Sequence, residues 1–263
     1  MPPREEWSLD TRRLGRRVLV YDRLDSTNNL AMQLADDPGN DGLVILADEQ
    51  TAGKGQHGRS WLAGAGQGVL LSVLLSPPAE LCRPVVITAW AAVAVCTTIY
   101  GIISRQPRIK WPNDVLLDGR KVCGILIEST AGRLCRAPAF IVGIGLNVKQ
   151  SAEAFQAHGL AEATSLQQFT TIPLDTHAVA VELVQALDRG LDSLYRGDVA
   201  ALESRWKDQL ELLGKRVTAE GHGATHQGRL IDLSFDAVEL ASANEERLRL
   251  APERILHLWE SME

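Results

Sequence analysis

The chain has 263 residues, more than a single domain usually contains, which predicts one large domain with a small appendage. Hydrophobic residues make up 45% and charged residues 23%, values that exclude a disordered, collagen-like or disulfide-rich chain. The formal net charge of −6 argues against a broad nucleic-acid-binding surface, which needs concentrated lysines and arginines. One basic cluster, Arg12, Arg13, Arg16 and Arg17, is more typical of a solvated surface than of a binding face.

The cysteines show neither metal-ligand nor disulfide spacing. Cys82, Cys96, Cys123 and Cys135 include no C-x-x-C pair, so we expect reduced thiols and no zinc site. No basic stretch followed by an apolar run opens the chain, so no secretory signal is indicated. A cytoplasmic location is therefore expected.

The first predicted helix begins at Ser26 or Thr27, where side-chain oxygens can cap it, and ends near Asp37. Two β-rich runs follow at residues 43–49 and 69–75. Between them lies a segment with six glycines: Gly53, Gly55, Gly58, Gly64, Gly66 and Gly68. These features predict two strands joined by a long, mobile loop.

The segment 85–103 carries no charge and is about as long as a membrane span. Threonines, a tyrosine and several alanines dilute its hydrophobicity. A buried core helix is therefore favoured over a transmembrane helix.

Further strands are predicted at residues 108–110, 122–130 and 140–148, and another strand is predicted to end at Leu117. Turns are predicted at residues 112–114, 118–119 and 131–132. Because these runs are consecutive and linked by hairpins, the sheet should be mixed or antiparallel. Apolar residues at helical spacing then predict two helices between His177 and Leu213, separated at Gly197. Short alternating runs near the end of the chain predict a small β-barrel. The predicted domains are residues 1–213 and 214–263.

The glycine-rich loop from Gln50 to Trp61 combines unobstructed backbone amides with the cations of Lys54 and Arg59, which suits a phosphate or carboxylate ligand. Its spacing matches neither a P-loop nor a dinucleotide-binding fingerprint. A solvated, flexible loop is the common alternative. Trp61 favours binding, since an aromatic ring at the end of the loop could cover a ligand.

A second unusual run, residues 108–114, places a cation, an aromatic ring, an amide and a carboxylate around one turn. Asp114 could help hold a Mg²⁺ that accompanies a nucleotide, because magnesium favours one or two carboxylates plus phosphate oxygens. A turn at Asn113 and Asp114 that merely caps itself is an equally good interpretation. Lys121 precedes an apolar strand, where a lysine is more often snorkelling than catalytic.

Together these motifs resemble the biotin protein ligase family from about Asp25 to Asn147. The matching segments are Asp25-Ser26-Thr27-Asn28, the loop from Gln50 to Trp61, Lys110-Trp111-Pro112-Asn113-Asp114, Lys121 with Gly124-Ile125-Leu126-Ile127-Glu128, and Gly143-Ile144-Gly145-Leu146-Asn147. The resemblance implies an α+β fold: a mixed β-sheet with helices, like the class II synthetase and biotin/lipoate ligase catalytic domain. It also implies a small C-terminal SH3-like β-barrel.

The resemblance implies a two-step reaction with biotin and ATP as substrates and Mg²⁺ as cofactor. The biotin carboxylate attacks the α-phosphorus of ATP to give biotinyl-adenylate. A lysine of a biotin carboxyl carrier protein, from acetyl-CoA carboxylase or a related carboxylase, then attacks the acyl carbon. Since both steps move negative charge onto oxygen, positioned cations and amides should be the main catalytic device.

Site residues are assigned by resemblance. Ser26, Thr27 and Asn28 would bind the ureido ring of biotin beside Gln50 and Gly53, and neutral donors and acceptors suit that neutral ring. The other assigned residues are Lys54 and Arg59 for phosphate and carboxylate, Trp61 over the adenylate, Lys121 at the reacting phosphorus, Asn113 and Asp114 for nucleotide and magnesium, and Asn147 for the adenylate. Gly55, Gln56, Lys110, Trp111 and Gly124 complete the set.

The glycine-rich loop departs from the family pattern G-R-G-R-x-G-R, because Lys54 and Gln56 occupy its first two arginine positions. Compared with arginine, lysine keeps the positive charge but cannot form two parallel hydrogen bonds to one carboxylate or phosphate, and glutamine has no charge. We therefore expect this protein to release biotinyl-adenylate more readily than a typical relative does. Released biotinyl-adenylate labels lysines non-specifically, so a Gln56→Arg variant with unchanged non-specific labelling would contradict this hypothesis.

Too few residues precede Asp25 for a DNA-binding domain, so the chain resembles the monofunctional type. No nucleic acid or membrane partner is expected. An exposed sheet edge could form a homodimer or dock the carrier.

Two alternatives stay open. A lipoate or octanoate ligase of the same fold would need a narrow apolar tunnel. The polar residues 25–28 favour biotin instead. A non-catalytic biotin or nucleotide sensor would explain the altered loop, but the retained Lys121 and Arg59 argue against it.

Overall fold

A computed structural model describes residues 2–130, 138–242, 244 and 246–261. In that part of the chain, eight strands form the larger sheet: β1 (Glu5–Trp7), β2 (Val18–Leu24), β3 (Val44–Gln50), β4 (Gly68–Leu75), β5 (Arg108–Lys110), β6 (Asp114–Leu117), β7 (Arg120–Thr130) and β8 (Ala139–Asn147). Their spatial order is β1-β2-β3-β4-β8-β7-β6-β5. Only β2 and β3 pair in parallel among these strands, and the predicted mixed sheet is confirmed.

The helices cover both faces of this sheet. They are α1 (Thr27–Leu34), α2 (Pro84–Ile103), α3 (Ala152–Ala157), α4 (Thr176–Tyr195) and α5 (Val199–Leu210). Successive residues of a strand point to opposite faces, so on β2 the side chains of Val18 and Val20 join the core beneath α2 and α4, whereas Leu19 and Tyr21 pack with α1. The helix α1 packs above β3, β4 and β8, and residues at its start line the cavity described below.

The apolar segment at 85–103 forms α2, which is long and apolar enough to cross a membrane by length and composition alone. It is a core helix: most of its residues are buried, and it packs against α4, α5 and β7. Trp90 is 1% exposed, and its indole Nε1 donates to the Leu187 carbonyl at 3.0 Å. The predicted buried helix is confirmed.

The C-terminal strands β9 (Arg216–Gly221), β10 (Thr225–Leu233), β11 (Val238–Ala241), β12 (Arg247–Leu250) and β13 (Ile255–Glu260) form an antiparallel sheet in the order β12-β11-β10-β9-β13. This arrangement is consistent with the predicted SH3-like barrel. One hydrophobic core runs through both sheets, and Trp111 donates its Nε1 to the Ile255 carbonyl at 3.0 Å. The domain boundary at 213/214 stays a prediction.

Three elements were missed from the sequence: β1, β2 and α3. The apolar run at residues 18–21 would have indicated β2. The predicted turn at 131–132 and Cys135 lie outside the described residues, while Cys82, Cys96 and Cys123 are free thiols.

The basic cluster near the start of the chain is engaged in ion pairs. Arg12 contacts Asp192 at 2.5 Å and Arg17 contacts Glu6 at 3.0 Å. Both arginine side chains remain more than half exposed, which favours the solvated-surface interpretation.

Candidate active site

A depression in the sheet forms the floor of the main cavity. Gly124 on β7 pairs directly with Gly145 on β8, and Gly143 lies two residues away on the same face. A Cβ at Gly145 would lie 2.3 Å from Trp61 Cε2, and one at Gly143 would lie 2.3 Å from Asn28 Oδ1. Any side chain at these positions would displace Trp61 or Asn28, so the spacing of these glycines has a direct steric cause.

The polar end of the cavity lies where α1 begins. Gln50, at the end of β3, accepts hydrogen bonds through Oε1 from the backbone N of Thr27 at 2.7 Å and from Thr27 Oγ1 at 3.0 Å. Ser72 is fully buried on β4, and its Oγ lies 2.7 Å from Thr27 Oγ1 and 2.5 Å from Asn28 Oδ1. Sequence reasoning missed Ser72, since a serine within an apolar strand gives no signal of what will pack above it.

Asp25 anchors the start of α1 and the loop that follows β3. Its carboxylate accepts a hydrogen bond from Asn29 Nδ2 at 2.5 Å, and its carbonyl accepts one from the backbone N of Ala52 at 2.8 Å. The Asn29 hydrogen bond holds the pKa of Asp25 below its usual range. The residue therefore remains ionised near neutral pH and connects the first turn of α1 to the segment that follows β3.

The glycine-rich loop folds back on itself as a narrow hairpin. Lys54 and Ser60 form an isolated antiparallel β-bridge. The backbone N of Gly55 donates to the Arg59 carbonyl at 2.7 Å, and the backbone N of Trp61 donates to the Gly53 carbonyl at 2.9 Å. Positive φ angles of 55° at His57 and 73° at Gly58 form its tip. The exposed Arg59 folds back on this hairpin, where its Nε donates to the Gln56 carbonyl at 3.3 Å.

Lys121 and Asp114 form the charged end of the cavity. Lys121 Nζ lies 2.6 Å from Asp114 Oδ1 and 5.7 Å from the ring centroid of Trp61. The backbone of Lys121 is fixed by two hydrogen bonds, from its N to the Glu162 carbonyl and from Thr164 N to its own carbonyl, both 2.8 Å. The flexible lysine stem thus starts from a rigid strand.

The segment after β8 closes the far wall. Asn147 donates through Nδ2 to the Thr164 carbonyl at 3.0 Å and accepts from Gln150 Nε2 at 3.1 Å. Phe155 and Leu160 also line the cavity. Sequence reasoning missed these two apolar residues, because nothing local distinguishes them from ordinary core positions.

The cavity has a volume of about 260 Å³ and gathers most of the predicted site residues. Those that line it are Ser26, Thr27, Asn28, Gln50, Lys54, Gly55, Gln56, Arg59, Trp61, Asn113, Asp114, Lys121, Gly124 and Asn147. Gly53 lies behind the loop, where a Cβ would be 2.5 Å from the Trp61 carbonyl. Lys110 is exposed on β5, and Trp111 is buried beneath the second sheet, so neither lines this cavity.

The carboxylates near the cavity limit which metal ion the site could hold. No group of three or more His, Cys, Asp or Glu residues in the described part of the chain could hold a metal by itself. Asp114 offers one carboxylate, with its side chain 21% exposed toward the cavity. One carboxylate fits a Mg²⁺ whose remaining ligands are phosphate oxygens and water.

Comparisons with known proteins agree with this geometry. The family model for the Biotin/lipoate A/B protein ligase family matches residues 20–147. The biotin–[acetyl-CoA-carboxylase] ligase of Mycobacterium tuberculosis is 32% identical to this chain, in an alignment that covers 94% of this chain and 97% of that protein. The chain belongs to the biotin protein ligase family.

One further relative and one solved structure are also similar to this chain over most of its length. The bifunctional ligase/repressor BirA of Bacillus subtilis is 31% identical over 239 residues, covering 91% of this chain and 73% of that protein. A solved biotin protein ligase from Aquifex aeolicus, in complex with biotin and ATP, superimposes with a TM-score of 0.76 at 24% identity, covering 93% of this chain and 99% of that one. This last likeness establishes the ligase fold.

Proposed function

We propose that this chain is a biotin–[biotin carboxyl carrier protein] ligase, which converts biotin and ATP to biotinyl-adenylate and then biotinylates one lysine of a carrier protein. The observation that carries the proposal is the distribution of polar and charged groups in the cavity described above. Neutral donors and acceptors, Thr27, Asn28 and Gln50, occupy one end, and the charged pair Lys121 and Asp114 occupies the other. A molecule with a neutral polar ring and a distant carboxylate matches that gradient.

The neutral end is proposed to bind the ureido ring. Each side chain there already uses part of its hydrogen-bonding capacity within the protein, which fixes its direction. Trp61, lying flat on Gly124 and Gly145, provides an apolar wall between the two ends. The indole Nε1 of Trp61 is buried without a hydrogen-bond partner among the described residues and is free to meet a ligand acceptor.

The charged end is proposed to carry out adenylation. A biotin carboxylate oxygen attacks the α-phosphorus of ATP, the bond to the β-phosphate oxygen breaks, and pyrophosphate leaves. Lys121 stabilises charge on the phosphoryl oxygens, and Arg59 on the exposed loop meets phosphate or carboxylate. Asp114 would hold a Mg²⁺, which would neutralise phosphate charge.

In the second step the carrier lysine attacks the acyl carbon of biotinyl-adenylate and AMP leaves, with a proton lost from the amine. The proposed acceptor belongs to acetyl-CoA carboxylase or a related carboxylase. Strands β1 and β5 are the edges of the larger sheet and are the elements that could dock this carrier or a second copy of the chain. The use of ATP supports a cytoplasmic location, and the net charge of −6 supports a protein rather than a nucleic acid as partner.

The direct test of adenylation is biotin-dependent exchange of labelled pyrophosphate into ATP. We expect exchange that requires biotin and is lost in Lys121→Ala. Exchange supported by lipoate and not by biotin would instead identify a lipoate ligase, and no exchange with either acid would favour a sensor.

A further inference from the structure

Glu128 contacts both the polar end of the cavity and the glycine-rich loop. It lies near the end of β7, and its side chain is 27% exposed. Its Oε2 accepts a hydrogen bond from Asn28 Nδ2 at 2.7 Å, and its Oε1 lies 3.3 Å from Lys54 Nζ. The two partners are 100 and 74 residues away in sequence, so only the fold brings them together.

The contact with Glu128 determines which way the amide of Asn28 faces. An ionised carboxylate can only accept hydrogen bonds, so the Asn28 nitrogen must point toward it. The Asn28 oxygen then faces the hydroxyl of Ser72 at 2.5 Å. Because Asn28 is only 4% exposed, an inverted amide would set its oxygen against the carboxylate in a poorly solvated site.

The same carboxylate also engages the loop cation. Lys54 stands where the family pattern has an arginine, and its ammonium pairs with Glu128 instead of projecting freely into the cavity. The Lys54 side chain is 41% exposed, so this ion pair by itself adds little stability. The ion pair instead positions the loop, because it connects the base of the loop hairpin to Glu128, the residue that orients Asn28.

We infer that Glu128 is a positioning residue for recognition of the biotin ring: it fixes the donor and acceptor directions of Asn28 and, through Lys54, connects Asn28 to the glycine-rich loop. This inference rests on the proposed function. It also gives Lys54 the role of a tether for the loop rather than that of a phosphate ligand.

The test uses Glu128→Gln, which keeps the size of the side chain but removes the charge and can present an NH₂ group to Asn28. We expect the KM for biotin in pyrophosphate exchange to rise about tenfold or more, as for loss of a hydrogen bond to a charged group. The kcat at saturating biotin and the KM for ATP should change by less than about twofold, because the charged end is untouched. The matched control is Glu80→Gln, an exposed glutamate outside the cavity.

A second variant guards against a folding defect in Glu128→Gln. Lys54→Met on the exposed loop should raise the KM for biotin by about threefold, and the double variant should be no worse than Glu128→Gln alone, since both act through one contact. Additive effects, or effects on kcat and ATP alone, would overturn the inference. An unchanged biotin KM in both variants, with a biotin-dependent wild type, would overturn the inference while leaving the proposed function intact; a wild type that does not use biotin would overturn the proposed function itself.

Discussion

Lys121 is the residue on which the proposed chemistry depends most. Its ammonium is held 2.6 Å from Asp114 while its backbone is fixed on both sides. If it acts on charge that develops in the transition state, Lys121→Ala should lower kcat about a hundredfold or more. Steady-state pyrophosphate exchange measures this effect. The matched control is Lys215→Ala, whose ammonium pairs with Glu260 on the second sheet; a similar kcat in both variants would exclude the assigned role.

Gly145 provides a steric test of the cavity floor. A methyl group there would lie 2.3 Å from Trp61 Cε2 and 2.6 Å from Trp61 Nε1, so the indole must move. Gly145→Ala should therefore raise the KM for biotin about tenfold, a cost typical of overpacking. The control is Gly101→Ala on α2, where no atom lies within 4 Å of the added Cβ. Equal biotin KM values in the two variants would show that Trp61 does not contact the substrate.

At the scale of residues, the sequence predicted those site members that lie in recognisable motifs, and most of them line one cavity. The sequence could not predict Ser72, because its partner Asn28 comes from another element 44 residues away. Trp111 shows the opposite limit: it belongs to a recognisable motif, yet its side chain packs between the two sheets. The local sequence indicates which chemical groups are present, whereas the direction in which a side chain points depends on packing between distant elements.

At the scale of elements, the segment before β2 is held by one buried carboxylate on α4. Asp188 accepts hydrogen bonds from the backbone N atoms of Arg12 at 2.9 Å, Arg13 at 2.7 Å and Leu14 at 2.9 Å. Asp188→Asn keeps one acceptor oxygen and sets an NH₂ group against backbone N–H groups, so the free energy of unfolding should fall by about 2 kcal/mol. Urea unfolding measures the change, and the exposed Asp10→Asn serves as the control.

Of the first two strands, β2 carries a local apolar signal, whereas β1 does not. The strand β1 has three residues, and it is stabilised by pairing with β2 rather than by its own propensity. The long apolar segment of α2 was predictable despite its many β-branched residues, because an uncharged run of this length exceeds that of a usual strand. A long local pattern was sufficient to predict α2, whereas the three residues of β1 become a strand only through their partner β2.

At the scale of the whole molecule, Trp111 joins the two sheets. Its ring centroid lies 5.6 Å from that of Trp206, which in turn lies 5.1 Å from that of Phe235, in the turn between β10 and β11. Trp111→Phe removes the hydrogen bond to Ile255 and leaves a small void, so the free energy of unfolding should fall by about 2 kcal/mol. Thermal unfolding should show the loss, with the KM for biotin unchanged. A variant that kept full stability would contradict this role for Trp111 between the sheets.

The strands of the second sheet were predictable from alternating residues, whereas the side on which this sheet docks was not. That side depends on the buried ring of Trp111 and on Arg83, which contacts Asp236 and Glu253 at 2.7 and 2.9 Å. Docking buries the motif residue Trp111 and leaves its neighbours Asn113 and Asp114 facing the cavity.

We propose above that this protein transfers biotin to one lysine of a carrier protein. The most direct measurement is intact-mass spectrometry of an isolated biotin carrier domain after incubation with this protein, biotin, ATP and Mg²⁺. We predict a single biotin adduct that maps to one lysine and disappears when ATP is omitted or Lys121→Ala is used. A carrier domain that stays unmodified with biotin, while a lipoyl domain is modified with lipoate, would contradict the account.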